Sequence, residues 1–548
     1  MVDELARRGF LRLTGAVALV GAASACTSGA PTSAGGASAS ATRRTAAKVS
    51  KSAATATASP SDVTSSSPPP ADNGAPDWAA LQKGLKGKLI RPGAPTYNAA
   101  RKLFNPRFDN IHPQAIAECV SSADVAECVR FAKQENVPLA LRSGGHCYAG
   151  WSSGPGLVLD VGPIHGVKYD AATRTAKVGA GTRLIDFYSG LAARGVAAPG
   201  GSCPSVGIAG LTLGGGIGVL GRAWGLTCDN ITEVEIVTAD GQIRTCDAKQ
   251  RDPGLFWASQ GGAGGTFGAV TAFTFKTHKA PPVLTWVLHW PWSRAARVVN
   301  AWQHWGPTAP DPLWSTCHLS SNPGASSAVV TVAGTYLGTD TASLNRLIDR
   351  LVSSVGSEPS TRSIASHSFL AAMLTEAGCG SESVAECHLT PAGHVQRQAY
   401  AATSDWVVKP MSGAGIATLV RAVQRRQDTR GVPDVSIAMD ASGGQINRVP
   451  ATATAFVHRD ALCSIQYIAN WYPNTTPAAV RSASAWPHAT RTSMQHYVSG
   501  QAYQNYVDPQ ITNWQQAYFG KNYPRLQQVK AQYDPKNLFK HPQGVTPS

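Results

Sequence analysis

Residues 142–151 read RSGGHCYAGW. Two consecutive glycines strip away side chains immediately before an imidazole, His146, and Tyr148 follows two places later. Runs of glycine let backbone N–H groups approach an anion closely. An imidazole at the edge of such a cradle is held against whatever the anion carries. A histidine beside glycines is by itself an ordinary loop residue, so the reading turns on its company. Two further glycine-rich stretches supply it: GGSCPSVGIAGLTLGGGIGVLGRAWG at 200–225 and QGGAGGTFGAVTAF at 260–273. Gly216, Gly218 and Gly221 match G-x-G-x-x-G, yet a dinucleotide fold needs a strand directly before that motif and a helix directly after. Here RAWGLTCDN follows instead. Three glycine-rich loops on one scaffold point to a long ligand with a diphosphate at its middle, since simple turns would show isolated Gly-Asn or Gly-Pro pairs.

Around these loops the chain alternates helix and strand. DVAECVRFAKQENV has helical spacing, with Asp124 as the expected N-cap. PLALR and GLVLDV read as strands, and TRLIDFYSGLAARG as a helix ended by Gly195. TEVEIVTADGQIRTC reads as a hairpin turning at Asp240–Gly241. After about residue 280 the texture changes to Trp-rich segments (LTWVLHWPW, AWQHWG) and long strand-like runs. Those tryptophans are either core or stacking faces for sugar rings. The class is α+β.

The N-terminus carries Arg7 and Arg8, a short apolar run and small residues before Cys26, the form of a twin-arginine (Tat) export signal over 1–26 rather than a membrane span. ASAC also resembles a lipoprotein cleavage site, so Cys26 is either lipidated or lost. Residues 27–77 are nearly all Ser, Ala, Thr, Gly and Pro and read as a disordered linker. The net charge of +15 lies in the folded body, because the first 80 residues hold seven Lys/Arg against five Asp/Glu. No nucleic-acid module accompanies it, and nucleic acid is excluded as a partner. A membrane enters only through the Cys26 anchor. With no C-x-x-C pair and no HExxH, no metal site is expected. Cys379 and Cys387 are spaced for a local disulfide, while Cys128 is either a core thiol or the partner of Cys119.

RSGGHCYAGW, GGSCPSVGIAGLTLGGGIG, GGAGGTFG and AYQNYVD…YFGKNYPRLQQVKAQYDPKNLF together resemble the berberine bridge enzyme-like branch of the vanillyl-alcohol oxidase/PCMH-type flavoproteins, from about residue 100 to 545. The resemblance implies a PCMH-type FAD-binding domain of two α+β subdomains over 100–280. A substrate domain with an antiparallel sheet backed by helices follows over 281–498, and a C-terminal segment, 499–548, returns to the FAD domain. It implies FAD attached through its 8α-methyl to His146 and through C6 to Cys203, which makes Cys203 a poor candidate for a disulfide. The remaining cofactor residues are Arg142, Ser143, Gly144, Gly145, Tyr148, Val206, Gly207, Gly210, Gly214, Gly215, Gly216, Gly265, Gly268, Val270 and Asn505. Two positions depart from the pattern: Cys147 stands where Ser or Asp is usual, and Thr266 where Asn is common.

Such a site supports hydride transfer from a C–H beside oxygen to flavin N5, with a base removing the hydroxyl proton. The resemblance points to Tyr506 as base, within Asn505–Tyr506–Asp508, with Tyr503 as alternate. A phenol with a pKa of about 10 needs help to act so. Of Gln466 and Tyr467 only one can face the flavin from a strand, and Gln466 is favoured. By the same resemblance Val206 occupies the position where the family's valine admits oxygen, which implies an oxidase making H2O2. The expected substrate is a small molecule or an oligosaccharide, an alcohol or sugar hemiacetal. Two other readings stand beside it: a dehydrogenase or oxidative-cyclisation enzyme, and a surface binding protein that has lost catalysis. Intact His146, Cys203 and Tyr506 speak against the last.

Overall fold

The structure, a computed structural model, describes residues 75–321, 325–429 and 431–548. The export signal, Cys26 and all but the end of the linker lie outside them. No helix among the described residues is long and apolar enough to cross a membrane.

Residues up to about 280 build two sheets. The first contains β1 (Lys88–Ile90), β2 (Ala115–Glu118), β3 (Leu139–Arg142) and β4 (Leu157–Asp160), in the order β1-β2-β4-β3. β4 lies parallel between β2 and β3, and only β1 is antiparallel. The parallel pairing needs a crossover, supplied by the helix Ser122–Gln134. Its N-cap is Ser121, whose side chain accepts from Asp124 N at 3.2 Å. Asp124, expected as the cap, lies inside the first turn. Its carboxylate accepts from the N–H groups of Lys86, Gly87 and Val120 at 2.9, 3.2 and 2.9 Å, two of them more than 30 residues away, and is engaged there instead of at the cap.

The second sheet is antiparallel: β5 (Val167–Asp170), β6 (Thr175–Gly179), β8 (Ile231–Val237), β9 (Ile243–Cys246) and β10 (Ala269–Lys276), ordered β5-β6-β10-β8-β9. β8 and β9 form the expected hairpin, with Gly241 in the left-handed region at φ +77°. A short ribbon pairs β7 (Val196–Ala197) with β11 (His278–Lys279).

The third sheet has seven antiparallel strands: β12 (Val283–Trp290), β13 (Leu313–Ser320), β14 (Val329–Leu337), β15 (Thr361–His367), β16 (Ala399–Val407), β17 (Val435–Ala441) and β18 (Cys463–Trp471). Their order is β15-β12-β14-β13-β17-β18-β16. Alternation along each strand gives this sheet two unlike faces. One face carries Leu288, Val330, Leu319, Ile437 and Tyr467, packed on the helices Ala295–Trp305, Thr341–Val355 and Gly413–Gln427. Trp286, Trp290 and Trp302 belong to that core and are at most 2% exposed, so they are packing residues and present no face to a sugar. The opposite face is the more polar one, carrying Thr285, Thr316, His318, Ser436, Asp440 and Gln466 among apolar residues such as Trp314 and Val287. Cross-strand register aligns His289, Thr331, His318, Ala438 and Gln466 in one row across five strands.

The C-terminal segment folds back on the first two sheets. In the helix Tyr523–Tyr533, the buried ammonium of Lys530 donates to Thr266 O, Phe539 O and Asp534 Oδ2, each at 2.6 Å. One side chain thus ties the tail to the third glycine-rich loop. Cys379 and Cys387 are joined by a disulfide. Cys119 and Cys128 remain separate buried thiols, their sulfurs 3.8 Å apart.

Candidate functional site

The three glycine-rich loops, the polar face of the third sheet and the returning tail enclose one cleft of about 1910 Å³, its open mouth included. Gly144 and Gly207 bring the first two loops together. A Cβ on Gly144 would stand 2.1 Å from Gly207 N, and one on Gly207 would stand 2.1 Å from Ser143 Oγ. Gly145 adopts φ +70°, a conformation that favours glycine. Gly144 therefore serves loop-on-loop packing, and both glycines also line the cleft.

His146 emerges from that junction. Its ring stacks on Phe104 at 4.0 Å between centroids, and Nε2 lies 3.0 Å from Ser205 Oγ. Burial, with the Arg183 charge behind it, lowers its pKa to about 3, so the imidazole is neutral and nucleophilic at pH 7. Arg142 pairs with Asp160 through Nε at 2.9 Å and Nη2 at 2.8 Å. Its Nη1 is buried with no hydrogen-bond partner, a donor left over on the cleft wall. Gly210 and Gly265 also line the cleft, and a Cβ on either would meet no protein atom within 4 Å. Ser143, Gly145, Val206, Gly268 and Val270 complete that wall.

Gly214, Gly215 and Gly216 do not line the cleft. Their missing side chains make room for Asn505, Phe456 and Thr227 respectively, and Gly216 N donates to Tyr503 Oη at 2.9 Å. They let Asn505, Phe456 and Thr227 pack close behind this loop. Asn505 is held there by Nδ2 bonds to Leu211 O and Tyr503 Oη, both 2.9 Å.

Cys203 lines the cleft as expected. Cys147 lines the cleft as a free thiol whose pKa burial pushes up.

The substrate-side wall is aromatic and polar. Gln466 Nε2 donates to Tyr148 Oη at 2.7 Å, whereas Tyr467 points to the opposite face and donates to Asp405 at 3.0 Å. The Tyr148 and Tyr506 rings are nearly parallel, 5.3 Å apart with 9° between planes. Burial drives the Tyr506 phenol well above its ordinary 10.0, and Tyr148, Asp440 and the other tyrosines push it further the same way. Tyr503 rises to about 12, again through burial first.

Sequence reasoning missed Asp440. It reaches the cleft from β17, is 4% exposed, and its Oδ1 has no hydrogen-bond partner. Burial raises its carboxyl to about 6, offset in part by a hydrogen bond from Thr316. The signal was present in VSIAMDA, where Ser436, Ala438 and Asp440 occupy the phase opposite to Ile437 and Met439. Lys540 and His541 in the tail, and Trp314 and Tyr400 on the sheet, also line the cleft and went unnoticed.

Residues 113–247 match the FAD binding domain family, and residues 502–546 match the family described as berberine and berberine like. The chain is 32% identical to the uncharacterized FAD-linked oxidoreductase YgaK of Bacillus subtilis (strain 168), over 84% of this chain and 97% of that protein. Among solved structures, Physcomitrella patens BBE-like 1 superposes with a TM-score of 0.77 at 31% identity, covering 86% of this chain and 99% of that one. A chitooligosaccharide oxidase does so with a TM-score of 0.76 at 26% identity, with coverage of 86% and 99%. Likeness over nearly the full length of these relatives, with the cleft at its centre, establishes that the chain belongs to the berberine bridge enzyme-like family of FAD-linked oxidoreductases.

Proposed function

We propose that this protein is an exported oxidase whose FAD is attached at two points, to His146 through the 8α-methyl and to Cys203 through C6. In this reading it oxidises an alcohol or a sugar hemiacetal while O2 is reduced to H2O2. The FAD-binding domain is 100–280, the substrate domain 281–498 and the returning segment 499–548. The observation that carries the reading is the convergence of a neutral imidazole at His146 and a buried, unpartnered carboxyl oxygen at Asp440 on one cleft.

The residues present fit FAD. The spare Nη1 of Arg142 offers a charged donor for a diphosphate oxygen, and the open backbone at Gly210 and Gly265 leaves room for it to approach. The low pKa of His146 keeps a ring nitrogen free of a proton for bond formation. As a thiolate, Cys203 on the same wall would supply the sulfur of the second bond. When bound, FAD supplies a two-electron acceptor for the hydride leaving the substrate carbon.

Asp440 removes the hydroxyl proton. With a carboxyl near 6 it is mostly ionised at neutral pH and still basic enough to take a proton. Tyr506, expected as the base, is held too strongly protonated for that role and orients the substrate hydroxyl together with Gln466 and Tyr148. Val206, on the cleft wall, leaves the approach for oxygen. The chitooligosaccharide oxidase likeness favours carbohydrate among the alcohols. Arg7 and Arg8 direct export, and Cys26 is the candidate lipid anchor.

Acid precipitation followed by peptide mass analysis under non-reducing conditions tests the attachment. A yellow pellet with one FAD mass bridging the peptides of His146 and Cys203 is expected. FAD on the His146 peptide alone would leave a single bond and refute the Cys203 attachment. A colourless pellet with FAD in the supernatant would refute covalent attachment, and no flavin from a host able to load it would favour the binding-protein reading.

A further inference from the structure

A second cleft of about 1390 Å³ opens elsewhere on the third sheet. Its position follows from strand register. His289 pairs with Thr331, Thr331 with His318, His318 with Ala438 and Ala438 with Gln466. Side chains of directly paired residues share a face. Gln466 lines the candidate catalytic cleft, while His289 and Thr331 line the second one. Four strand spacings separate the two ends of the row, about 19 Å. The two clefts are thus two openings on one polar sheet face.

The chemistry of the second cleft is specific. Ser320, Thr331, His289, Asn474 and Asp434 present hydroxyl, imidazole, amide and carboxyl groups to it. His289 Nδ1 and Thr331 Oγ1 lie 2.9 Å apart, and Ser320 Oγ lies 3.0 Å from Ser436 Oγ, so these groups are already oriented. The protein carries a net charge of +15, yet no lysine or arginine is among the described residues that line this cleft. Arg426 acts on the cleft through Asp434, but its Nε and Nη1 donate to Pro433 O and Ser482 Oγ, both at 2.9 Å, so the described lining itself offers an anionic ligand little counter-charge. Tyr472 stands at the rim, 56% exposed, the only aromatic among the exposed large hydrophobic residues of the described chain. A bare ring beside hydroxyl, amide and carboxyl groups suits a ligand that has both an apolar C–H face and a ring of hydroxyls.

We propose that this second cleft is a saccharide-binding site, with Tyr472 as the stacking platform and Asp434, Asn474, His289 and Thr331 as hydroxyl partners. It holds a neutral sugar chain on the same sheet face as the catalytic cleft, at a distance no single sugar unit spans. The sugar-oxidase reading makes such a site useful, but its existence does not depend on flavin chemistry.

The test is calorimetric titration of the oxidised, flavin-loaded protein with neutral cello-, chito- and malto-oligosaccharides, repeated with Tyr472→Ala and Thr331→Val. Flavin reduction by the same sugars is recorded in parallel. Two binding events per chain are expected for at least one series. Tyr472→Ala should weaken one of them at least tenfold and leave flavin reduction by the shortest substrate unchanged. Thr331→Val, nearly isosteric, should weaken the same event. A single event that survives both substitutions, with flavin reduced, would overturn the second site and leave the oxidase reading intact. A single event lost in Tyr472→Ala, with no sugar reducing the flavin, would support the site and sink the sugar-oxidase reading. No binding in any series would overturn the site outright.

Discussion

At Asp440 and Tyr506, burial has opposite consequences for two candidate bases. Removing solvent disfavours the charged form of either acid. For a carboxyl that starts near 3.8 the shift ends at about 6, still useful at neutral pH; for a phenol starting at 10.0 it moves further out of reach. Asp440→Asn should therefore slow flavin reduction by roughly 10²–10⁴-fold, the usual weight of a general base. Tyr506→Phe should cost about tenfold, mostly in KM, if it orients substrate. Stopped-flow reduction across pH separates the two. The wild-type rate should rise with pH through about 6 as Asp440 ionises, and that limb should vanish in Asp440→Asn. A limb that persists in Asp440→Asn and disappears in Tyr506→Phe would return the role to the phenol. Strand alternation allowed only one of Gln466 and Tyr467 to face the site, with Gln466 favoured, but the sequence offered no reason to pick Asp440 from the many carboxylates. Only the cleft's geometry isolates that one.

Among the glycine-rich loops, neighbouring glycines do unlike work. Gly207 is pressed against Ser143 and Gly144, with any Cβ 2.1–2.3 Å from their atoms. Gly207→Ala should destabilise the fold by about 1–3 kcal/mol through overpacking. Gly210 lies in the short helix Ile208–Leu213 and meets nothing within 4 Å. Gly210→Ala should keep or slightly raise stability, since alanine is the better helix former by up to about 1 kcal/mol. Its methyl would project into cofactor space and lower the flavin-to-protein ratio. Urea midpoints and flavin absorbance of the two variants check this pair. Equal flavin loading in Gly210→Ala would show that its open space is not used by cofactor. These loops were legible as a ligand cradle because glycine runs are rare and local. Which glycines face ligand and which face Ser143, Asn505 or Thr227 was not, because the contacting segments lie tens to hundreds of residues away.

For the whole molecule, buried titrating groups set the pH dependence of stability. His146 is held neutral to about 3, and His278, His318, His458 and His541 to about 4, chiefly by burial. Below 6.5 the unfolded imidazoles take up protons that the folded ones refuse, so this contribution to stability is lost as pH falls from 6.5 toward 4. Glu376 and Asp405, raised to about 7, and Asp440, raised to about 6, act oppositely: their contribution is lost as pH rises from about 4 toward 7. Five imidazoles against three carboxyls leave the unfolded chain binding more protons across the acid side of that window. The urea midpoint should fall between pH 6.5 and 4.5; a midpoint that climbs on acidification would mean the histidines are not buried as described.

By itself the sequence determined what local spacing can carry. Three glycine loops, period-two strands and period-3.6 helices each report their own conformation within a few residues, and the family motifs lie in those same short windows. Tertiary structure alone decided which face of each element meets the cleft. It turned Trp286 and Trp290 of LTWVLHWPW inward, set Gln466 against Tyr148 across 318 residues, left Asp440 Oδ1 unpartnered, and aligned a row of side chains between two clefts. The physical reason is that burial and cross-strand pairing are properties of distant segments brought together, and desolvation, which sets the chemistry of every group in the cleft, exists only once they meet.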